Sequence, residues 1–281
     1  MAINIDTLPY DCVSKILSYT SPIDACSFSM VSSTLYSAAN SDSLWRTFLP
    51  SDYDDILSRT VNPSILQSCS SYKHLFYSLC QRPLLLDGGR ISFKLDKCSG
   101  KKSYILPARE LSITWSNDPM YWSWRPTPES RFSEVAELRT VSWLEIKGKI
   151  RTKILTPNTS YVVYLITKVS HRVYGLDSAP AEVSISIANK VQNGKAYLYN
   201  KYEDTLFYEN QWKIEGKNLM IEDNNENGIQ VPSKRDDGWM EIELGEFFCS
   251  EVDEEVEMSV MEVGYRLKGG LVVEGIEVRP K

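Results

Sequence analysis

"WLEIKGKI", residues 143–150, sets Leu144, Ile146 and Ile150 two or four positions apart, with Glu145, Lys147 and Lys149 between them. A period of two places successive side chains on opposite faces of an extended chain, so this stretch predicts a half-buried strand. The same signature recurs downstream. "YVVYLITKV" (161–169), "EVSISIA" (182–188), "WMEIELGEFF" (239–248), "EVEMSVMEV" (255–263) and "LVVEGIEV" (271–278) alternate or run apolar and are rich in β-branched residues. Polar punctuation separates them, as in "PNTS" (157–160) and "EDNNENG" (222–228). Many strands without intervening amphipathic helices predict an antiparallel β-sandwich of jelly-roll type.

Upstream of about residue 100 the spacing is helical instead. In "TLPYDCVSKILSYTS" (7–21), Pro9 suits a first helical position, and Cys12, Val13, Ile16 and Leu17 form one apolar face. In "SPIDACSFSMVS" (21–32), Ser21 is the expected N-cap, Pro22 follows it, and Asp24 stands where a capping-box partner belongs. A third helix is expected from Ser32 through Leu35 to Ala39, and a fourth holding Leu44, Trp45 and Phe48. "LPSDYDDILSRT" (49–60) and "SSYKHLFYSLC" (70–80) predict two more. The polar stretch "DKCSGKK" (96–102) marks the change of pattern. The expected fold class is therefore α+β and multidomain: a helical module over 1–50, a helical linker over 51–100 and a β-sandwich over 101–281.

Composition narrows the function classes. The chain has 281 residues, a net charge of −6 and 42% hydrophobic residues. That balance is ordinary for a globular protein and lacks the excess of basic residues that nucleic-acid or anionic-membrane binding uses. No secretory signal and no membrane span are expected from the sequence. Six cysteines without a C-x-x-C pair suit a reducing cytosol or nucleus. With two histidines and no nucleophile elbow, H-E-x-x-H or phosphate loop, no catalytic residues, metal site or cofactor are expected. Acidic pairs such as Glu254 and Glu255 read as solvated loop charge rather than a glycosidase dyad.

Two features carry the functional expectation. The first is that three or four helices in some 50 residues bury little surface, and "DACSFSMVSSTLYSAA" (24–39) holds more apolar residues than one face per helix needs. It is either a cap on the β domain or a module completed by a partner. The second is "ITWSNDPMYWSW" (113–124), which sets three tryptophans among Asn117, Asp118 and Pro119. An indole is more often core than ligand, and Trp143 and Trp239 are assigned to the core. In a polar turn, Trp115 and Trp122 instead suit stacking on the C–H face of a pyranose, with polar neighbours reading its hydroxyls.

The residues also carry a resemblance. "LPYDCVSKILSYTSPIDACSFSMVSSTLYSAANSDSLW" (8–45) resembles the F-box of plant lectin-linked proteins, with Tyr10 where an acidic residue is common. "ARELSITWSNDPMYWSW" (108–124), "EVAELRTVSWLEIKGKI" (134–150), "TSYVVYLITK" (159–168), "DDGWMEIELGEFF" (236–248) and "VEGIEVRP" (273–280) resemble the phloem-lectin, or Nictaba-like, family. The first resemblance implies docking on a Skp-type adaptor of a cullin–RING ubiquitin ligase. Leu8, Pro9, Cys12, Ile16, Leu17, Pro22, Val31, Leu35, Leu44 and Trp45 match that family's contact and core positions. The second implies binding of N-acetylglucosamine-containing glycans or glycoproteins, with Trp115 and Trp122 at the sugar and Glu255 and Glu262 as its acidic residues. Together they imply a substrate-recognition adaptor rather than an enzyme. Two alternatives stand beside it: a sandwich that binds a protein target without sugar, and a stand-alone lectin with a vestigial F-box. The family's lysine-rich nuclear signal has only "SKRDD" (233–237) as its counterpart, and 189–227 is longer than in the type lectin.

Overall fold

The computed structural model describes residues 8–63, 69–200 and 229–281. The expected loop at 222–228 and most of the long 189–227 segment lie outside the described residues. The chain divides into two compact units. One comprises 1–105 with 154–157 and 280, and the other holds 106–153 with 158–279 and 281.

The first unit is helical, then stranded. Its described helices are α1 (Tyr10–Leu17), α2 (Pro22–Phe28), α3 (Ser33–Ala39), α4 (Asp42–Phe48), α5 (Tyr53–Ser58) and α6 (Tyr72–Gln81). The cap expected at Ser21 forms, three further serines cap as well, and Pro9 is the N-cap of α1 rather than its first helical residue. The Ser21, Ser32, Ser41 and Ser71 hydroxyls accept the amides of Asp24, Leu35, Leu44 and His74 respectively, and Ser21 also donates to the Asp24 carboxylate at 2.7 Å. Each cap satisfies an amide that the first turn leaves without a helical partner. None of the described helices is long and apolar enough to cross a membrane.

The helical core gathers Val13, Leu17, Ala25, Leu35, Ala38, Ala39 and Leu44. Trp45 is fully buried, donates its indole N–H to the Ala39 carbonyl at 2.7 Å and meets the rings of Phe48, Phe76 and Tyr77. Helix α6 thus covers an indole that four short helices alone would leave wet.

The segment 51–100 is helical only as far as Gln81. Residues 84–95, expected in a helical linker, form β1 (Leu84–Leu86) and β2 (Ile91–Leu95), and β2 pairs with β3 (Lys102–Pro107). The polar stretch 96–102 is the turn between β2 and β3. The Asp96 carboxylate accepts the Cys98 and Ser99 amides, and Gly100 takes a φ of +70°. That hairpin pairing ties β2 to β3, so the compact division falls after Ile105 rather than at the polar run.

The second unit is all β, with described strands β4 (Ser112–Ile113), β5 (Trp122–Arg125), β6 (Val135–Leu138), β7 (Val141–Arg151), β8 (Thr159–Tyr174), β9 (Ala181–Ile187), β10 (Lys190–Ala196), β11 (Ser233–Lys234), β12 (Met240–Cys249) and β13 (Glu255–Pro280). Its paired strands are antiparallel. Strand β13 has a bulge between Val263 and Lys268 and serves two layers. Its first half pairs with β7 and β9, giving the order β10-β9-β13-β7-β4. Its second half lies between β6, which carries β5, and β8, which carries β12 and β11. Every second residue of the first layer points inward: Leu144, Ile146, Ile150, Val183, Ile185, Val256, Met258 and Val260 are buried. Tyr161, Val163, Leu165, Ile242, Leu244 and Ile276 fill the second layer's side.

Trp239 is buried as expected, in a cluster with Val135, Ile166 and Val272. The assignment of Trp143 to the core is corrected: it is 44% exposed. Leu144, Ile146 and Ile150 occupy the inward positions of β7, and strict alternation sends Trp143 outward beside Glu145 and Lys147. His171 lies within β8.

Candidate functional site

Two surfaces follow from the fold, one in each unit. On the helical unit, burial sorts the ten expected adaptor positions. Leu17, Pro22, Leu35, Leu44 and Trp45 are buried and take the core positions of that set. Leu8 packs half-buried against that core. Pro9, Cys12, Ile16 and Val31 face solvent, Val31 at 70% exposure. The apolar face drawn from Cys12 to Leu17 therefore splits, with Val13 and Leu17 inward and Cys12 and Ile16 outward.

Residues that pattern reading passed over join the outward set: Tyr19, Ile23, Phe28, Met30 and Tyr36. The signal for them was the surplus of apolar residues over one face per helix. So dense a run of exposed apolar side chains in some 30 residues marks an interaction surface.

In the β unit the loop 114–121 is built by its own tryptophans. Strand β4 lies on β7, and the Thr114 amide donates to the Glu145 carbonyl at 3.0 Å. The chain then turns at Trp115, whose φ of 59° is in the left-handed region that non-glycine residues enter at a cost. The Asp118 carboxylate accepts the Met120 amide at 2.8 Å, and its carbonyl accepts the Tyr121 and Trp122 amides.

Two indoles brace this loop. Trp122 donates to the Thr114 carbonyl at 3.1 Å and Trp124 to the Ser116 carbonyl at 2.9 Å. Trp122 is 2% exposed, and Trp124 carries the Arg109 guanidinium 3.6 Å above its ring. Trp115 alone of the three presents a broad surface, 46% exposed and tilted against the Tyr121 ring at 5.1 Å. A cavity of about 430 Å³ opens beside the loop; Trp122 and Trp124 line it with Arg109, Ser116, Asn117 and Arg139, whereas Trp115 stands outside that lining. Asn117 thus reaches the cavity as expected, whereas the Asp118 side chain is used inside the turn.

The expected acidic pair is not assembled here. Glu255 and Glu262 are seven residues apart on β13, a separation of about 23 Å at the rise of a strand. Glu255 is exposed and paired with Lys149 at 3.1 Å. Glu262 pairs with the buried Lys268 at 2.5 Å, and Lys268 also donates to the Ser142 carbonyl. Neither carboxylate lines the cavity beside Trp122 and Trp124.

The carboxylate that does stand next to the loop is Glu145. It accepts from the Thr114 hydroxyl at 3.1 Å, the Trp143 indole at 3.2 Å and the Lys147 ammonium at 2.5 Å. The Lys147 hydrogen bond, helped by the Trp143 and Thr114 donors, holds its carboxyl below the usual range against the opposing effect of burial. Sequence reading missed Glu145 because the pairing of β4 with β7 brings Thr114, 31 residues away, to a carboxylate that Trp143 and Lys147 of its own strand already hold.

The chain matches two family models, the F-box domain over residues 5–47 and phloem protein 2 over residues 101–280. Among similar proteins of Arabidopsis thaliana, F-box protein PP2-B15 is 47% identical, over 98% of this chain and 96% of that one. F-box protein PP2-B13 is 48% identical, over 97% and 98%. F-box protein VBF is 46% identical, over 98% and 99%.

Proposed function

The chain belongs to the phloem protein 2 family and carries an F-box domain, and from that premise we propose that it is a substrate-recognition adaptor of a Skp–cullin–F-box ubiquitin ligase. The observation that carries this reading is the run of outward apolar side chains on the helical unit, from Cys12 and Ile16 to Val31 and Tyr36. An adaptor subunit that covered them would supply the burial that so small a helical module lacks. The chain would break no bond itself. It would hold a target close to a ubiquitin-charged enzyme, raising the effective concentration of the target's lysines.

The second half of the proposal concerns the target. We propose that the β unit binds N-acetylglucosamine-containing glycans, with Trp115 as the stacking face. Trp122 and Trp124 then act by holding the loop, and Asn117, Ser116 and Arg139 supply hydrogen-bonding groups at the cavity. The exposed Val263, Tyr265 and Leu267 on the β13 bulge favour a second reading, in which a protein surface is recognised there without sugar. A reducing compartment, the cytosol or nucleus, suits six cysteines that form no disulfide.

Two experiments test the halves separately. Co-expression with a Skp-type adaptor should yield a complex, and an Ile16→Asp, Val31→Asp variant should fail to form it. Capture by that variant as efficient as by wild type would refute the adaptor reading. Calorimetric titration of the full chain, bound to its adaptor, with chitotriose should give binding that Trp115→Ala weakens by about 1–3 kcal/mol, the range of truncated aromatic anchors. Absence of binding by wild type to chitotriose and to an N-glycan core would refute the sugar half and leave the adaptor half standing.

A further inference from the structure

Strand β13 carries its bulge where three segments of the β unit meet. Val263 pairs with Trp143 and Lys268 with Val141, so Gly264, Tyr265, Arg266 and Leu267 stand opposite Ser142 alone. The base of the bulge is fixed. The Lys268 side chain is fully buried, and its ammonium donates to the Ser142 and Glu262 carbonyls and pairs with the Glu262 carboxylate at 2.5 Å. Segment 172–175 at the end of β8 packs against the bulge without room for a further side chain. A Cβ on Gly175 would lie 2.4 Å from the Leu267 carbonyl oxygen, and one on Gly269 would lie 2.4 Å from the Arg139 carbonyl oxygen and 2.6 Å from the Tyr174 ring. The Tyr174 hydroxyl donates to that same Arg139 carbonyl. Held this way, the bulge puts Val263, Tyr265 and Leu267 into solvent, with Trp143 and Tyr174 exposed beside them. A bulge re-aims the side chains it carries, and an apolar patch presented on a fixed base marks an interaction surface.

The charge at this patch is one-sided. Segments 139–143, 172–175 and 263–270 hold Arg139, Arg172, Arg266 and Lys268 and no carboxylate, in a chain whose net charge is −6. Glu262 neutralises Lys268, but the three arginines, all exposed, have no carboxylate partner among the described residues. Other arginines of the β unit are paired: Arg109 with Glu134, Arg125 with Glu137, Arg151 with Asp253, and Arg235 and Arg279 with Glu241. Arg172 and Tyr174 stand two apart on β8 and so share a face. We infer that the bulge of β13 is a docking site for an acidic, extended segment of a target protein, in which carboxylates flank an apolar side chain. The inference deepens the protein-recognition reading given above for this bulge and rests on it. Guanidinium groups take carboxylates through paired, charge-assisted hydrogen bonds, and Tyr265 and Leu267 offer apolar surface between them. The base held by Lys268 lowers the ordering cost of binding. An anionic bilayer is the poorer match, because it repels the −6 charge of the chain as a whole.

The test uses the full chain bound to its adaptor and follows the anisotropy of fluorescein-labelled dodecapeptides, each with glutamates around a central Leu-Phe pair at varied spacing. At least one glutamate peptide should bind wild type about tenfold or more tightly than its glutamine counterpart, and the gap should close as salt is raised. The double variant Arg172→Glu, Arg266→Glu should remove that gap, and Tyr265→Ser should weaken both peptides. Melting should stay within a few degrees of wild type in each variant, since the altered side chains are exposed. Equal binding of glutamate and glutamine peptides that Tyr265→Ser abolishes overturns the acidic partner and leaves the protein-recognition reading standing. A glutamate preference that survives in the double arginine variant overturns the site. Binding of wild type to phosphatidylserine vesicles, with none to the peptides, overturns it in favour of a lipid surface. Binding to neither overturns the inference together with the reading beneath it.

Discussion

Replacing Trp122 by Ala should unfold the sugar-facing loop before it tells anything about sugar. Trp122 is 2% exposed, and its indole N–H holds the Thr114 carbonyl at 3.1 Å, so the truncation leaves a cavity and an unpaired carbonyl together. Buried Trp→Ala changes cost about 3–5 kcal/mol. A unit of this size loses about 2–4 °C of melting temperature per kcal/mol, so a drop of about 6–20 °C is expected. Trp115→Ala should behave in the opposite way. The ring is half exposed and its main contact is Tyr121, a ring pair worth about 0.5–1.5 kcal/mol beyond area, so melting should shift by no more than about 5 °C. Sugar affinity should nevertheless fall about five- to 150-fold in Trp115→Ala, the equivalent of about 1–3 kcal/mol. Trp122→Phe separates the two roles. It keeps most of the buried volume and loses one hydrogen bond of about 1 kcal/mol, so sugar affinity should stay within about threefold of wild type. Melting followed by near-ultraviolet circular dichroism, paired with calorimetric titration, reads both quantities. If Trp122→Phe abolishes sugar binding while Trp115→Ala retains it, the stacking face has been assigned to the wrong indole.

Burial predicts a similar split in the helical unit. Leu17→Ala should cost about 2–5 kcal/mol of stability, whereas Ile16→Asp should leave the melting temperature within a few degrees and abolish adaptor capture; equal loss of stability in the two would contradict the sorting of inward from outward residues. Gly275→Ala should be among the most damaging single-methyl changes, because the added Cβ would lie 2.0 Å from the Leu106 carbonyl oxygen, and soluble expression at wild-type level would count against that close approach. Glu274 is fully buried, and although the Ser130 hydroxyl and Arg131 amide donate to its Oε1, its Oε2 has no hydrogen-bond partner among the described residues. Burial pushes its pKa up, against the favourable effects of Arg131, Ser130 and the Arg131 amide. A carboxyl raised in the folded state binds its proton more tightly there than when unfolded. Its contribution to stability is therefore full below the unfolded pKa and declines as pH rises through the folded one. Glu274→Gln should thus gain on wild type between pH 4.5 and pH 7.5 in urea midpoint, and a constant difference across that window would refute the assignment.

The sequence by itself determined what depends on neighbours along the chain. Serine caps, proline starts and apolar spacing near 3.6 residues are local signals, so the helices between Tyr10 and Gln81 were legible. Alternation at period two made the long strands β7, β8, β12 and β13 legible in the same way. Local pattern could not say which of two possible faces a given residue takes once partners are chosen. Ile16 and Leu17 are adjacent and equally apolar, and only the packing of α1 on α3 and α4 sends one out and one in. Trp143 looked like core because indoles usually are, yet the register of β7 against β13 had already given the inward positions to Leu144 and Ile146. The same holds at the site. Glu255 and Glu262 are close in sequence, but a strand carries its residues apart by its rise, while Glu145 reaches Thr114 because the antiparallel pairing of β4 with β7 brings together residues 31 apart in the chain. Secondary structure here is written in spacing; the gathering of side chains at Trp115 is decided by strand register, which is a property of pairs of segments and not of any one of them.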